Sequence, residues 1–102
     1  MNRDEIIAAL RAHEAELRAA GAAGLSLVGS AARGDEQKNS DIDVLVRLDF
    51  DPALQGFAYF GMIDRLARRL EAIVLRPVDV IAEPVRKQRL RHEVEKDRIV
   101  AF

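Results

Sequence analysis

Cysteine is absent from the 102 residues. Disulfides and thiolate metal sites are therefore excluded, and the composition suits a reducing compartment. An excess of one charge is also missing. Sixteen Lys and Arg oppose seventeen Asp and Glu, for a formal net charge of −1. No global basic field is available to hold nucleic acid, which disfavours it as a partner. No apolar run approaches the roughly 18 residues that span a bilayer. Residues 1–10 carry Arg3, Asp4 and Glu5 in place of the apolar stretch of a signal peptide. These absences argue against a membrane partner and lead to the expectation of a cytoplasmic protein. Internal repeats, low-complexity segments and a convincing linker are lacking too, so one domain is expected over residues 1–102. The two histidines, His13 and His92, are isolated and lack metal-ligand spacing. What the chain does have is 49% hydrophobic residues, enough for one modest core.

The apolar spacing gives a clear order of elements. Ile6, Ile7, Leu10, Leu17 and Ala20 fall on one stripe of a helix over 3–20. His13 and Glu14 interrupt that stripe, so its middle turn is expected to be half buried, and Gly21 is a natural stop. "AGLSLV" reads as a strand that Gly29 breaks. Residues 30–40, with Gly34, Asn39 and Ser40, read as a loop or one short helical turn. Residues 42–48 give the strongest strand signal. Ile42, Val44, Val46 and Leu48 share one face; Asp41, Asp43, Leu45 and Arg47 share the other. Pro52 marks a turn.

A second amphipathic helix is expected over 56–74, with Phe60, Ile63, Ala67, Leu70 and Val74 as its buried stripe. Pro77 closes that region, and "VDVIAE" reads as a third strand. Pro84 suits the first turn of a third helix running to about Lys96. Residues 99–102 form either a short last strand or a docked tail. The fold class is α+β, a small mixed sheet covered by helices. The stretch between the first two strands is too short for a full crossover helix, so those strands can be antiparallel neighbours.

Asp41 and Asp43 raise the functional question. Two residues apart on a strand, they project from the same face with Cα atoms about 6.6 Å apart. Carboxylates this close repel unless a cation compensates them. Mg²⁺, which takes oxygen ligands from one or two carboxylates, water and phosphates, is the natural ion. The plain alternative is a solvated strand entrance in which each Asp caps a loop amide. Asp79, between Val78 and Val80, must face away from those valines. If its strand neighbours 42–48, three acids share one face, as a two-metal site requires. Otherwise Asp79 is an exposed residue on an edge strand.

Gly29 allows close backbone approach to a ligand, and Ser30 offers a hydroxyl and an amide. If Ala31 to Arg33 form a helical turn, its free N–H groups face an anion. The alternative is an ordinary turn with Ser30 as an N-cap. Arg33 can touch a phosphate or pair with Asp35.

Gly29-Ser30, ten intervening residues, and Asp41-Ile42-Asp43 together resemble the signature of the nucleotidyltransferase superfamily typified by DNA polymerase beta. Within it, "GSAARGDEQKNSDIDVLV" resembles the minimal nucleotidyltransferase (MNT) domain, the antitoxin partner of HEPN-type toxins. Asp79 in "PVDVI" matches the position of the third carboxylate. The resemblance implies the polymerase beta-like fold, with Gly29 and Ser30 holding the triphosphate of ATP. It implies that Asp41, Asp43 and Asp79 bind Mg²⁺ and that Asp79 helps activate the acceptor hydroxyl. The implied reaction is attack of that hydroxyl on the α-phosphate. In antitoxin members the acceptor is a toxin tyrosine, and the modification is AMPylation.

A chain this short has little surface left to enclose both a nucleotide and an acceptor, so a partner protein is expected to supply the rest. Candidate contact surfaces are "FAYFGMIDRLARRL", with Phe57, Tyr59 and Phe60, and "VRKQRLRHEVEKDR", with Arg86, Lys87, Arg89 and Arg91. The second also reads as a solvated helix face balanced by Glu93, Glu95 and Asp97. His92 is expected at the surface and His13 at the edge of the first helix's stripe. Two other functions fit the sequence: a non-catalytic module that masks a toxin, or an enzyme acting on a small molecule or an RNA end.

Overall fold

The first helix begins with a reciprocal cap. The Asn2 side chain accepts from the Glu5 amide at 2.8 Å, and Glu5 accepts from the Asn2 amide at 3.0 Å, which satisfies two amide donors that a helix start leaves unpaired. A computed structural model of the chain describes residues 1–34, 41–49, 57–83 and 88–102. Its elements are α1 (Arg3–Ala12), α2 (Glu14–Ala19), β1 (Ala22–Val28), α3 (Gly29–Arg33), β2 (Ile42–Leu48), α4 (Phe57–Val74), β3 (Val78–Ala82), α5 (Gln88–Lys96) and β4 (Ile99–Val100). The turn expected at Pro52 and the helix start expected at Pro84 lie outside the described residues.

The single helix expected over 3–20 is two helices broken at His13. A continuous helix would aim His13 and Glu14 at the stripe that Leu10 and Leu17 bury. The break instead leaves His13 exposed, with Nδ1 3.0 Å from Glu16, while Leu10 and Leu17 both reach the core. His13 is thus a surface hinge residue and not the edge of an apolar stripe. Gly21, with φ +113°, ends the segment as expected.

The four strands form one sheet in the order β3-β2-β1-β4. β1 runs antiparallel to both β2 and β4, and β2 runs parallel to β3. The parallel pair needs a long connection, which contains α4. The chain end is a true strand, fastened by β4 pairing to β1.

One sheet face makes the main core. Leu25, Leu27, Ile42, Val44 and Val46 pack there with Ile6, Leu10, Leu17, Leu66, Leu70 and Val74 from the helices. The expected stripe of α4 needs correcting at Phe60, which is 68% exposed, and by adding Leu66, which is fully buried. At about 100° per residue, Phe60 lies about 120° around the helix from Leu66 and misses the row centred on 66, 70 and 73. The second sheet face carries a smaller apolar cluster among the described residues. Val94 of α5 packs there with Val28 and Leu45, and Ile81 sits against them.

Candidate active site

Strand parity and register bring Asp43 and Asp79 together, with Asp41 at the entrance of β2. Asp43 lies on the β2 face opposite the buried Ile42, Val44 and Val46, and Asp41 immediately precedes the strand. β3 pairs with β2 so that Asp43 stands beside Asp79, at a strand spacing of about 4.8 Å. The Ile42 amide donates to the Pro77 carbonyl at 2.9 Å, locking the register where both strands begin. On the α4 side, the Glu71 carboxylate accepts from the Val78 amide at 3.1 Å. The arrangement is therefore built by β-pairing and by the end of α4, not by a flexible loop.

The electrostatics match this geometry. Asp43 is half-buried, and its carboxyl is held above the ordinary value of 3.8, first by burial and then by the charges of Asp79 and Asp41. Both causes disfavour a bare carboxylate at that position. Among the described residues, no three His, Cys, Asp or Glu side chains form a group that could hold a metal ion by themselves. Mg²⁺ is usually held by only one or two carboxylates together with waters and substrate phosphates. The donor chemistry fits the ion: hard oxygens and paired negative charge on Asp43 and Asp79.

Gly29 is packed against this cluster. β1 ends at Val28, whose ladder partner is Asp43. Gly29 then turns the chain into α3 with φ +71°. A Cβ built on Gly29 would stand 2.6 Å from the Asp43 Oδ2 atom, so both the dihedral and the space call for glycine. Ser30 follows inside the first turn. The N-cap is Val28, without a side-chain cap, so Ser30 is not the N-cap. Its hydroxyl and the first-turn amides are thus brought to the same end of the sheet as the carboxylates. Residues 35–40, which close this loop in the sequence, lie outside the described residues.

Arg33 closes α3. Its Nη1 donates to Asp97 at 2.9 Å; Asp35 lies outside the described residues. Sequence reasoning had placed Asp97 only as a counter-charge on the helix face. It had also missed Ser26, buried inside "GLSLV", whose hydroxyl accepts from Arg98 Nε at 2.9 Å. A polar residue in an apolar strand was the available signal for Ser26. Asp97 gave no local signal, because its partner is distant in sequence.

Of the candidate contact surfaces, Phe60 is exposed and stacks edge-on with Tyr59 at 5.5 Å. Arg89, Arg91 and His92 are exposed on α5. Arg86 and Lys87, together with the side chains of Phe57 and Glu93, lie outside what the structure describes. No helix among the described residues is long and apolar enough to cross a membrane.

A family model for the nucleotidyltransferase domain matches residues 10–101. A comparison with curated proteins gives no significant match. Among solved structures, one assigned as a minimal nucleotidyltransferase is 27% identical, with a TM-score of 0.75 over 97% of this chain and 95% of its own. A toxin–antitoxin structure with AMP-PNP is 23% identical, with a TM-score of 0.65 over 100% of this chain and 73% of its own. A tri-AMPylated Shewanella oneidensis HEPN toxin in complex with its MNT antitoxin gives 19% identity and a TM-score of 0.58, over 90% of this chain and 68% of that one. The last two, below 25% identity, speak to the fold alone. With the family model spanning nearly the whole chain and the mixed four-stranded sheet matching, the chain belongs to the nucleotidyltransferase domain family and has the minimal nucleotidyltransferase fold.

Proposed function

We propose that residues 1–102 form an Mg²⁺-dependent nucleotidyltransferase that acts as the antitoxin of a HEPN-type toxin in the cytoplasm. It would transfer AMP from ATP to a tyrosine hydroxyl of that toxin. The observation that carries the reading is the side-by-side register of Asp43 and Asp79, with the Gly29 backbone pressed against Asp43. That arrangement supports a cation site beside a phosphate-binding turn.

Gly29 leaves room for the triphosphate to approach the backbone, and the Ser30 hydroxyl and amide donate to its oxygens. Asp41, Asp43 and Asp79 would hold Mg²⁺, which neutralises phosphate charge and acidifies a nearby hydroxyl. Asp79, exposed at the strand entrance, takes the proton of the attacking hydroxyl. The oxygen bonds to the α-phosphorus as the bond to the leaving oxygen breaks, and pyrophosphate departs with that electron pair. Positioning and charge neutralisation supply most of the acceleration, so little covalent chemistry is asked of the chain. The acceptor tyrosine comes from the partner, a reading supported by the exposure of Asp41 and Asp79.

The test is transfer of label from α-labelled ATP to a HEPN-type toxin in the presence of Mg²⁺. Loss of transfer in the Asp41→Ala/Asp43→Ala variant supports the reading. Absence of transfer by the unaltered chain with any nucleotide would sink it. In that case, full neutralisation of the toxin by the same variant would establish masking.

A further inference from the structure

The turn that follows α5 reaches across the fold at two adjacent residues. Asp97 accepts from Arg33 Nη1 at 2.9 Å, with the aspartate side chain 19% exposed and the arginine 46%. Arg98 donates to the buried Ser26 hydroxyl at 2.9 Å and pairs with Glu83 at 3.4 Å. The turn is thus fixed to β1 and to the end of β3, and from there it holds the last residue of α3. A second arginine reaches α3 from α1: Arg3 Nη1 donates to the Ala32 carbonyl at 3.3 Å.

These contacts matter because α3 cannot place itself. It has five residues, too few to be stable through its own hydrogen bonds. Its first residue, Gly29, abuts Asp43, and its last, Arg33, is about 6 Å further along the axis. A tilt at the Arg33 end therefore moves Gly29 and Ser30 relative to the carboxylates.

We propose that Asp97 is a positioning residue for nucleotide binding: through Arg33 it holds α3, and with it Gly29 and Ser30, in place beside Asp43. The proposal rests on the nucleotidyltransferase reading of that site and assigns Arg33 to Asp97, not to a phosphate. The burial of Asp97 is the physical reason. If Arg33 swung to a phosphate, it would leave a mostly buried carboxylate without that partner, and such an orphaned charge is costly.

The experiment measures binding of AMP-PNP with Mg²⁺ and hydrogen exchange at the Ala32 and Gly34 amides, the latter bonded to the Ala31 carbonyl at 3.1 Å. It compares the unaltered chain with Asp97→Asn, Asp97→Glu, Arg33→Gln and the Arg33→Gln/Asp97→Asn double variant. Asp97→Asn is expected to weaken AMP-PNP binding about three- to five-fold, the scale of a partly exposed ion pair, and to speed exchange in α3. Asp97→Glu should restore both. The double variant should bind as the single variants do, since one interaction is lost only once. An Arg33→Gln loss that persists undiminished on the Asp97→Asn background would show that Arg33 touches nucleotide and would overturn the proposal. Unchanged α3 exchange in Asp97→Asn would overturn it as well. Should Asp97→Asn fail to fold, Arg33→Gln and Arg33→Lys carry the same two readouts, with the lysine variant expected to lose less. If the unaltered chain does not bind AMP-PNP, the reading of the site fails, and the exchange arm alone decides whether the clamp exists.

Discussion

The two faces of β2 are made by the same seven residues and have opposite duties. On one face Ile42, Val44 and Val46 are fully buried beneath the helices. On the other, Asp43 stands half-buried at the strand's start, and Leu45 two residues later is covered with Val94 and Ile81. The difference teaches where a small fold can place ionised groups. Alternation keeps the acids out of the core, and among the described residues the apolar cluster that α5 makes on this face takes in Leu45 and Ile81 and not Asp43 or Asp79. The proposed site lies beside that cluster.

The sharpest way to separate the faces is to alter one residue on each. Asp43→Asn should cut nucleotidyl transfer about a thousand-fold or more, roughly 4 kcal/mol of barrier, while leaving the circular dichroism of the fold unchanged. A comparable loss of helical signal would mean that the acid face is structural. Leu70→Ala on the core side should do the reverse, lowering unfolding free energy by about 3 kcal/mol in a denaturant titration. Transfer under folded conditions should then stay within a few-fold of the unaltered chain.

Gly29→Ala tests the seam between the two faces. The φ of +71° and the 2.6 Å approach to Asp43 Oδ2 predict about 1–2 kcal/mol of destabilisation from the dihedral alone. Weaker AMP-PNP binding should accompany it, because the Asp43 carboxylate must move. An unchanged melting midpoint together with unchanged nucleotide affinity would refute the packing argument.

A smaller effect follows from pH. The folded chain holds the Asp43 proton more tightly than the unfolded chain, because its carboxyl is raised by burial, Asp79 and Asp41. This contribution favours folding below the ordinary value of 3.8. It is lost as pH rises through the raised folded value, so ionised Asp43 costs stability at neutral pH. Asp43→Asn should therefore melt above the unaltered chain at pH 7 without divalent ions, and the gap should close as pH falls toward 3.8. Adding Mg²⁺ should narrow the gap from the other side by stabilising only the unaltered chain.

The smallest expected change is at Leu75, a non-glycine residue with φ +60° that is 77% exposed after α4. Leu75→Gly should raise stability by about 0.5–1 kcal/mol, since the left-handed conformation is costly for leucine and free for glycine. A fall in the melting midpoint would show that the exposed side chain contributes a contact of its own.

Much of this was legible from the residues. The parity of Asp43 against Ile42 and Val44 and the stop at Gly21 follow from short-range spacing, which left a loop or a helical turn open after Gly29. The motif spacing pointed to the family that the whole-chain comparison shows. The errors arose where spacing alone is ambiguous. The stripe of α4 was rotated because Phe60 and Leu66 are both apolar, and only the sheet beneath them selects the row. The break at His13 was visible as an interruption but not as an end, because neighbouring Ala9 and Ala12 suit a helix.

By itself the sequence determined which side chains share a strand face and where glycine is needed to turn, since alternation and steric limits on φ act between neighbours. Only the tertiary structure decided that β3 lies parallel to β2 with Asp79 beside Asp43. It alone decided that Val94 of α5 packs on Val28 and Leu45 and that Asp97 meets Arg33. Each of those is a pairing between distant segments. Such pairings are selected by the burial and hydrogen bonding of the assembled sheet, which no local window of the chain contains.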